Sequence, residues 1–276
     1  MDFDWSRVAE PQPDQYDTEV ALTQLRRMEG FRRYQPLGDT PTIFDGAVAV
    51  RPLEEPYLRM EGFSSAPLED QRICLAENYV RQWPAAFQQF KNLMYAFYPL
   101  NDMSGTRIRP GSKGVVCHSF QSHIGTMCAS IEDPVCLAEA FVHEMAHSKL
   151  RSLGIMVEST QGFITNDPKA RYPSPIRKGA LRPMTAVFHA EYSFIYVTQL
   201  YLMMLAADPE EETRNYLLVL LQGIVALIEA GSKVIEANIQ VDSIGRLFVG
   251  GFMDWTGRVI ADCRAILDRE RIAQVS

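Results

Sequence analysis

The sequence predicts a mainly α fold with a small β-hairpin or sheet element, and three observations carry that reading. Apolar residues recur at helical spacing over long stretches, proline and glycine punctuate those stretches where helices start and stop, and the strand-like runs are few and short. At 47 % hydrophobic and 22 % charged residues the composition is that of a soluble globular chain able to bury a sizeable core.

Taken in order, the first fourteen residues are polar and proline-rich, and predict a loosely ordered start. Val20, Leu22, Leu25, Met28 and Phe31 predict a helix over 16–34. Gly38 to Pro41 reads as a turn and Ile43 to Pro52 as an extended segment. A long helical pattern follows from Leu68 to Tyr98, broken at Trp83-Pro84 because proline lacks an N–H and disfavours helix in the residue before it. Phe87, Phe90, Leu93, Met94 and Phe97 form its second apolar face. Two strands are predicted at Gly114–His118 and Ile124–Ala129. Asp133-Pro134 then reads as an N-cap followed by proline at the first helical position, with Gly154 as the stop. An irregular stretch runs to Leu181. Pro183 opens a helix to Ala206, Pro209 opens another to Ile228, which reads as buried and too short for a membrane span, and Asp254 to Arg271 closes the chain.

No internal linker interrupts this pattern, so a single catalytic domain over 1–276 is expected, with 1–66 packing on or covering it and 107–206 as its metal and cosubstrate core. The net charge of −7 and the lack of a long basic run exclude a general nucleic-acid binder. The start at Met1-Asp2-Phe3-Asp4 has neither the basic nor the apolar region of a secretory signal, and the five cysteines are scattered without a C-x-x-C pair. A cytoplasmic protein with no membrane partner and with cysteines acting as small hydrophobes is therefore expected.

The strongest functional signal is His143-Glu144-Met145-Ala146-His147, an HExxH motif inside the helix that begins at Pro134. Residues four apart share a helix face, so His143 and His147 can address one metal ion while Glu144 stands about 100° away. With 5 His and 19 Glu in 276 residues, about 0.006 chance matches are expected. A catalytic metal needs a third protein ligand. His118 and His123 belong to the hairpin, where polar residues mostly face solvent. His189 lies on the next apolar helix and would need a polar partner there. Glu191 is its rival; the two stand about 200° apart and cannot face the same ion. A His₂Glu set would point to a zinc metallopeptidase with Glu144 as general base, whereas three histidines suit zinc or Fe(II).

Two blocks carry a family resemblance: Leu137 to Leu150, and Ser174-Pro175-Ile176-Arg177 followed by Leu181-Arg182-Pro183-Met184 and Val187 to Phe194. Over roughly residues 110–205 the chain resembles the HExxH-type, Fe(II)- and 2-oxoglutarate-dependent peptide β-hydroxylases, the peptide-modification enzymes of ribosomal peptide natural-product pathways. Ile176 departs from the tryptophan common in that family. The resemblance implies Fe(II) held by His143, His147 and His189, and Glu144 orienting a ligand or bound water. It also implies hydroxylation of a precursor-peptide side chain coupled to conversion of 2-oxoglutarate to succinate and carbon dioxide. A second carboxylate on the cosubstrate calls for a cation, and Arg182, then Arg177, are the candidates on this reading.

Overall fold

The computed structural model describes residues 3–28, 40–53, 63–102, 116–120, 123–157, 162–177 and 179–275. Among these it is mainly helical, with eight helices and a small mixed sheet. The helix α5 (Pro134–Ser152) is the hub. It begins where expected: the Asp133 carboxylate accepts from the backbone N–H groups of Val135 and Cys136, two of the donors a helix start leaves unpaired, and Pro134 occupies the first turn. Gly154 follows at φ +85°, the left-handed conformation that ends helices.

Around α5 pack α2 (Tyr16–Arg27), α3 (Gln71–Arg81), α4 (Pro84–Leu93) and α6 (Met184–Ala206). The break between α3 and α4 falls at Trp83-Pro84 as predicted. Beyond α6 lie α7 (Glu211–Asn238) and α8 (Ser243–Val275). Both are longer than the sequence suggests. α8 starts eleven residues earlier than the predicted Asp254, running through Gly245, Gly250 and Gly251 at some cost in helix propensity. At Gly251 the reason is packing: a Cβ there would collide with the backbone of Ser6 in α1 (Trp5–Val8). The same packing overturns the expected loose start, since Val8 and Ala9 are fully buried and the Tyr192 hydroxyl donates to the Ala9 carbonyl at 2.6 Å. In α7 only one face is buried, through Leu217, Leu221, Ile224, Ile228 and Ile235, with Val219 exposed, so the expected buried helix is a half-buried one. It is also long and apolar enough to cross a membrane, by length and composition, which corrects the expectation that this stretch is too short.

The sheet is larger than a hairpin. β4 (Ala96–Asp102) is central, pairing in parallel with β6 (Thr126–Ser130) on one edge. On its other edge lie β2 (Val48–Val50, parallel) and β3 (Phe63–Ser65, antiparallel), at opposite ends. β1 (Thr42–Ile43) and β5 (Cys117–Ser119) close the two sides, giving the order β1-β2-β4-β6-β5. Two expectations are corrected. The segment 43–52 is a tight hairpin, turned by Phe44, Asp45 and Gly46 at positive φ. Phe97 belongs to β4 and not to a helix; Met94 turns extended at ψ 149° and ends α4. Phe97 still reaches the core, packing edge-on to Phe141 of α5 at 5.1 Å between ring centroids. Residues 29–34 of the helix predicted over 16–34, Gly38 and Asp39 of the predicted turn, and the Gly114–Val115 start of the predicted strand lie outside the described residues. A two-stranded ribbon, β7 (Tyr172–Pro173) with β8 (Leu181–Arg182), leads into α6.

Candidate metal centre

The packing of α5 on α6 brings the three predicted histidines together. His147 Nε2 lies 3.1 Å from His143 Nε2, and His147 Nδ1 lies 2.9 Å from His189 Nδ1. His189 is buried, and its Nε2 stands 2.7 Å from the carbonyl oxygen of Ile155, just past the end of α5. A carbonyl only accepts, so the His189 Nε2 carries the proton and Nδ1 keeps its lone pair. Nδ1 of His189 then accepts from His147 Nδ1–H, and His147 Nε2 accepts from His143 Nε2–H. All three rings are satisfied in their neutral forms. The electrostatics agree: burial drives the His147 imidazole well below its ordinary range, with the neighbouring His143, His189, Arg151 and Arg182 acting in the same direction. Burial likewise pushes His189 down to about 3, against the hydrogen bond to Ile155.

Neutral imidazoles are what a metal requires. Each N···N separation is of the order of two nitrogens sharing one ion. Among the described residues, however, the group whose ligand atoms all lie within 4.8 Å of one another is Cys117, His143 and Glu144, not the three histidines. One adjustment is needed. His147 meets its two neighbours through opposite ring nitrogens, and a single ion takes only one of them. The donor chemistry fits a divalent ion, and the hydrogen bond from His189 Nε2 to Ile155 is the kind of outer contact that fixes a ligand's tautomer.

Glu144 faces the sheet. Its Oε2 accepts a short hydrogen bond from the Ser119 hydroxyl on β5, and Ser119 Oγ in turn accepts from Arg151 Nη1 at 2.7 Å. All three side chains are buried. Alternation along β5 explains the partner: Cys117 and Ser119 share the face toward α5, while His118 points outward and is exposed. Cys117 Sγ and ligand atoms of His143 and Glu144 lie within 4.8 Å of one another. This departs from the expectation that the cysteines contribute no donor near the motif. His123 is exposed, as expected for the hairpin.

Glu191, the rival third ligand, is turned away. It accepts from Ser232 Oγ on α7 at 2.9 Å and fits there because Gly231 has no side chain to block it. Of the two predicted arginines, Arg182 on β8 is partly buried and close enough to bear on both His147 and His189. Arg177 is exposed and does not figure among the charges acting on them. Sequence reasoning missed Ser119, Arg151, Cys117 and the Ile155 carbonyl. Arg151 was within reach of a simple count, one turn after His147 on the same helical face.

A scan of the chain against protein-family models finds no match, and neither does a search of the curated proteins.

Proposed function

We propose that the chain is an Fe(II)- and 2-oxoglutarate-dependent oxygenase that hydroxylates the β-carbon of a side chain in a ribosomally made precursor peptide. The observation that carries this reading is the meeting of His143, His147 and His189 across α5 and α6, with Glu191 facing α7 instead. His143, His147 and His189 would hold the iron. When bound, Fe(II) supplies the redox chemistry that couples dioxygen and 2-oxoglutarate to hydroxylation, releasing succinate and carbon dioxide.

The protein's own groups prepare that chemistry. Ile155 holds His189 in the tautomer that offers Nδ1. Phe194 of α6 packs edge-on to the His143 ring at 5.4 Å between centroids, an apolar wall on one side of the site. Ser119 holds the Glu144 carboxylate toward β5, which suits an orienting group more than a base that must turn to water. The zinc metallopeptidase reading keeps one specific observation, a soft sulfur donor at Cys117 beside His143 and Glu144. In that case Glu144 would have to leave Ser119 to act as general base.

Succinate formation by purified protein with Fe(II), ascorbate and 2-oxoglutarate under air separates the two. The expected result is iron-dependent succinate that disappears in His189→Ala. No succinate, with stoichiometric zinc in the isolated protein, would overturn the oxygenase reading in favour of the peptidase.

A further inference from the structure

The HExxH motif also belongs to a second group of donors. Cys117 Sγ, one nitrogen of His143 and one carboxylate oxygen of Glu144 all lie within 4.8 Å of one another. They come from two elements that pack together, adjacent residues of α5 and the edge strand β5. Pleating sends Cys117 and Ser119 to the α5 side of β5, and the Ser119 hydroxyl holds Glu144 Oε2 toward that strand. A four-coordinate divalent ion at its usual bond lengths sets nitrogen, oxygen and sulfur donors about 3–4 Å apart, so side-chain rotations suffice to close this group. A carboxylate has two oxygens, and Ser119 can stay on one while an ion takes the other. In the three-histidine set, by contrast, His147 meets its neighbours through opposite ring nitrogens and must turn before one ion can take all three. Access differs as well: Cys117 and His143 are partly exposed, whereas His189 is buried.

We infer that Cys117, His143 and Glu144 form a second metal site, for a thiophilic divalent ion of the zinc class, and that it competes with the three-histidine set for His143. One thiolate, one imidazole and one carboxylate leave a fourth position for water. Binding turns the Cys117 thiol into a thiolate, its proton leaving to solvent. The sulfur sets the preference, since thiolate selects zinc-like ions while imidazole serves iron as well. This is not the peptidase centre weighed above. There Glu144 stays off the metal to act as base; here it is a ligand. The site itself stands without the oxygenase reading. Its consequence rests on that reading: an ion held here takes His143, and zinc keeps iron out without touching His189.

Cobalt(II), added to reduced, metal-free, full-length protein, reports the site directly. A cobalt–thiolate bond gives an intense charge-transfer band in the near ultraviolet that nitrogen and oxygen ligands do not. The wild type is expected to develop that band to saturation and to lose it when zinc is added. Cys117→Ser should abolish the band. It should also weaken zinc binding, read by competition with a chromophoric chelator, by more than about a hundredfold, beyond what outer contacts contribute. Cys117 lies on an edge strand and is partly exposed, so exchanging sulfur for oxygen leaves the core alone. His189→Ala, which costs the imidazole set its iron, is expected to keep the cobalt band. Protein that takes up no cobalt, or takes it up without the band, overturns the site, and so does a band that survives in Cys117→Ser. A band lost in His189→Ala that is still folded by circular dichroism overturns it too, because the sulfur would then be an added ligand of the three-histidine centre. None of these outcomes decides the oxygenase reading, which iron-dependent succinate formation tests separately.

Discussion

Lys149 and His147 stand two residues apart on α5, and each heads a buried polar cluster shared with α6. Around Lys149, every group is answered. Its Nζ donates to Asp17 Oδ2 at 2.5 Å and to the Tyr196 hydroxyl at 3.1 Å; Tyr196 donates to Gln89 Oε1 at 2.7 Å. Gln89 Nε2 donates to Asp17 and Thr18, and Asp17 Oδ1 receives the backbone N–H of Gln12. The cluster ties α2, α4, α5 and α6 into one unit. Around His147, three imidazoles satisfy one another through one particular set of tautomers, and Arg151 keeps an unanswered Nε. A fully bonded buried network stabilises; one that leaves donors open in a low-dielectric interior awaits something. The first is architecture and the second is the candidate site.

The contrast is broken most forcefully at Lys149. Lys149→Met removes the partner of a buried carboxylate, and a loss of about 3–5 kcal/mol is expected, the range for one half of a buried pair. Chemical denaturation measures it, and adding Asp17→Asn should return part of the loss. A loss below about 1 kcal/mol would mean that the network is not what holds α2 to α5. His189→Ala should behave in the opposite sense. Metal affinity is expected to fall by more than about a hundredfold, beyond what outer contacts contribute, while the metal-free protein loses less stability than Lys149→Met. Metal content after dialysis decides it. Retained metal in His189→Ala, with metal lost in Glu191→Ala, would hand the third position to Glu191.

Much of this division was readable in the chain, because it depends on local chemistry. The start of α5 at Asp133-Pro134, the break at Trp83-Pro84, the HExxH face and the helix carrying His189 all follow from caps, prolines and spacing. What escaped was set by distant packing. Glycines in α8 disfavour a helix locally, yet Gly251 is there to let Ser6 approach, a fact held 245 positions away. Tyr95 to Tyr98 followed a helical run so closely that the periodicity carried past its end, whereas pairing with β2 and β6 makes Ala96 to Tyr98 strand. The partners of Glu144 and His189, namely Ser119 and the Ile155 carbonyl, come from segments whose positions no spacing rule specifies.

A finer break in the comparison lies at Ser119. Ser119→Ala leaves the three histidines untouched but releases Glu144 and Arg151 from their common hydroxyl. Turnover is expected to drop about 10- to 100-fold, as for other outer contacts of metal sites, with metal content unchanged. Unchanged turnover in Ser119→Ala would separate the hydroxyl from the chemistry and leave it a packing contact.

The smallest effect expected concerns Glu191, which shares neither cluster although it lies two residues from His189. One of its oxygens accepts from Ser232 and the other, also buried, has no partner. Burial pushes the acid well above the ordinary carboxylate range, which favours its protonated form in the folded protein. In the unfolded chain it ionises near its usual pKa of about 4.3. The folded state thus binds the extra proton. Its stability from this group is full below that pKa and declines as pH rises toward the raised folded value. Glu191→Gln removes the titration and keeps the shape. It should raise stability by about 1 kcal/mol or more at neutral pH, each unit of difference between the two pKa values being worth about 1.4 kcal/mol. At pH 4 the two proteins should be nearly equal. Thermal unfolding of both across pH 4–8 measures the divergence; parallel curves would show that Glu191 is ionised in the folded state, and that the face of α6 opposite His189 carries a charge.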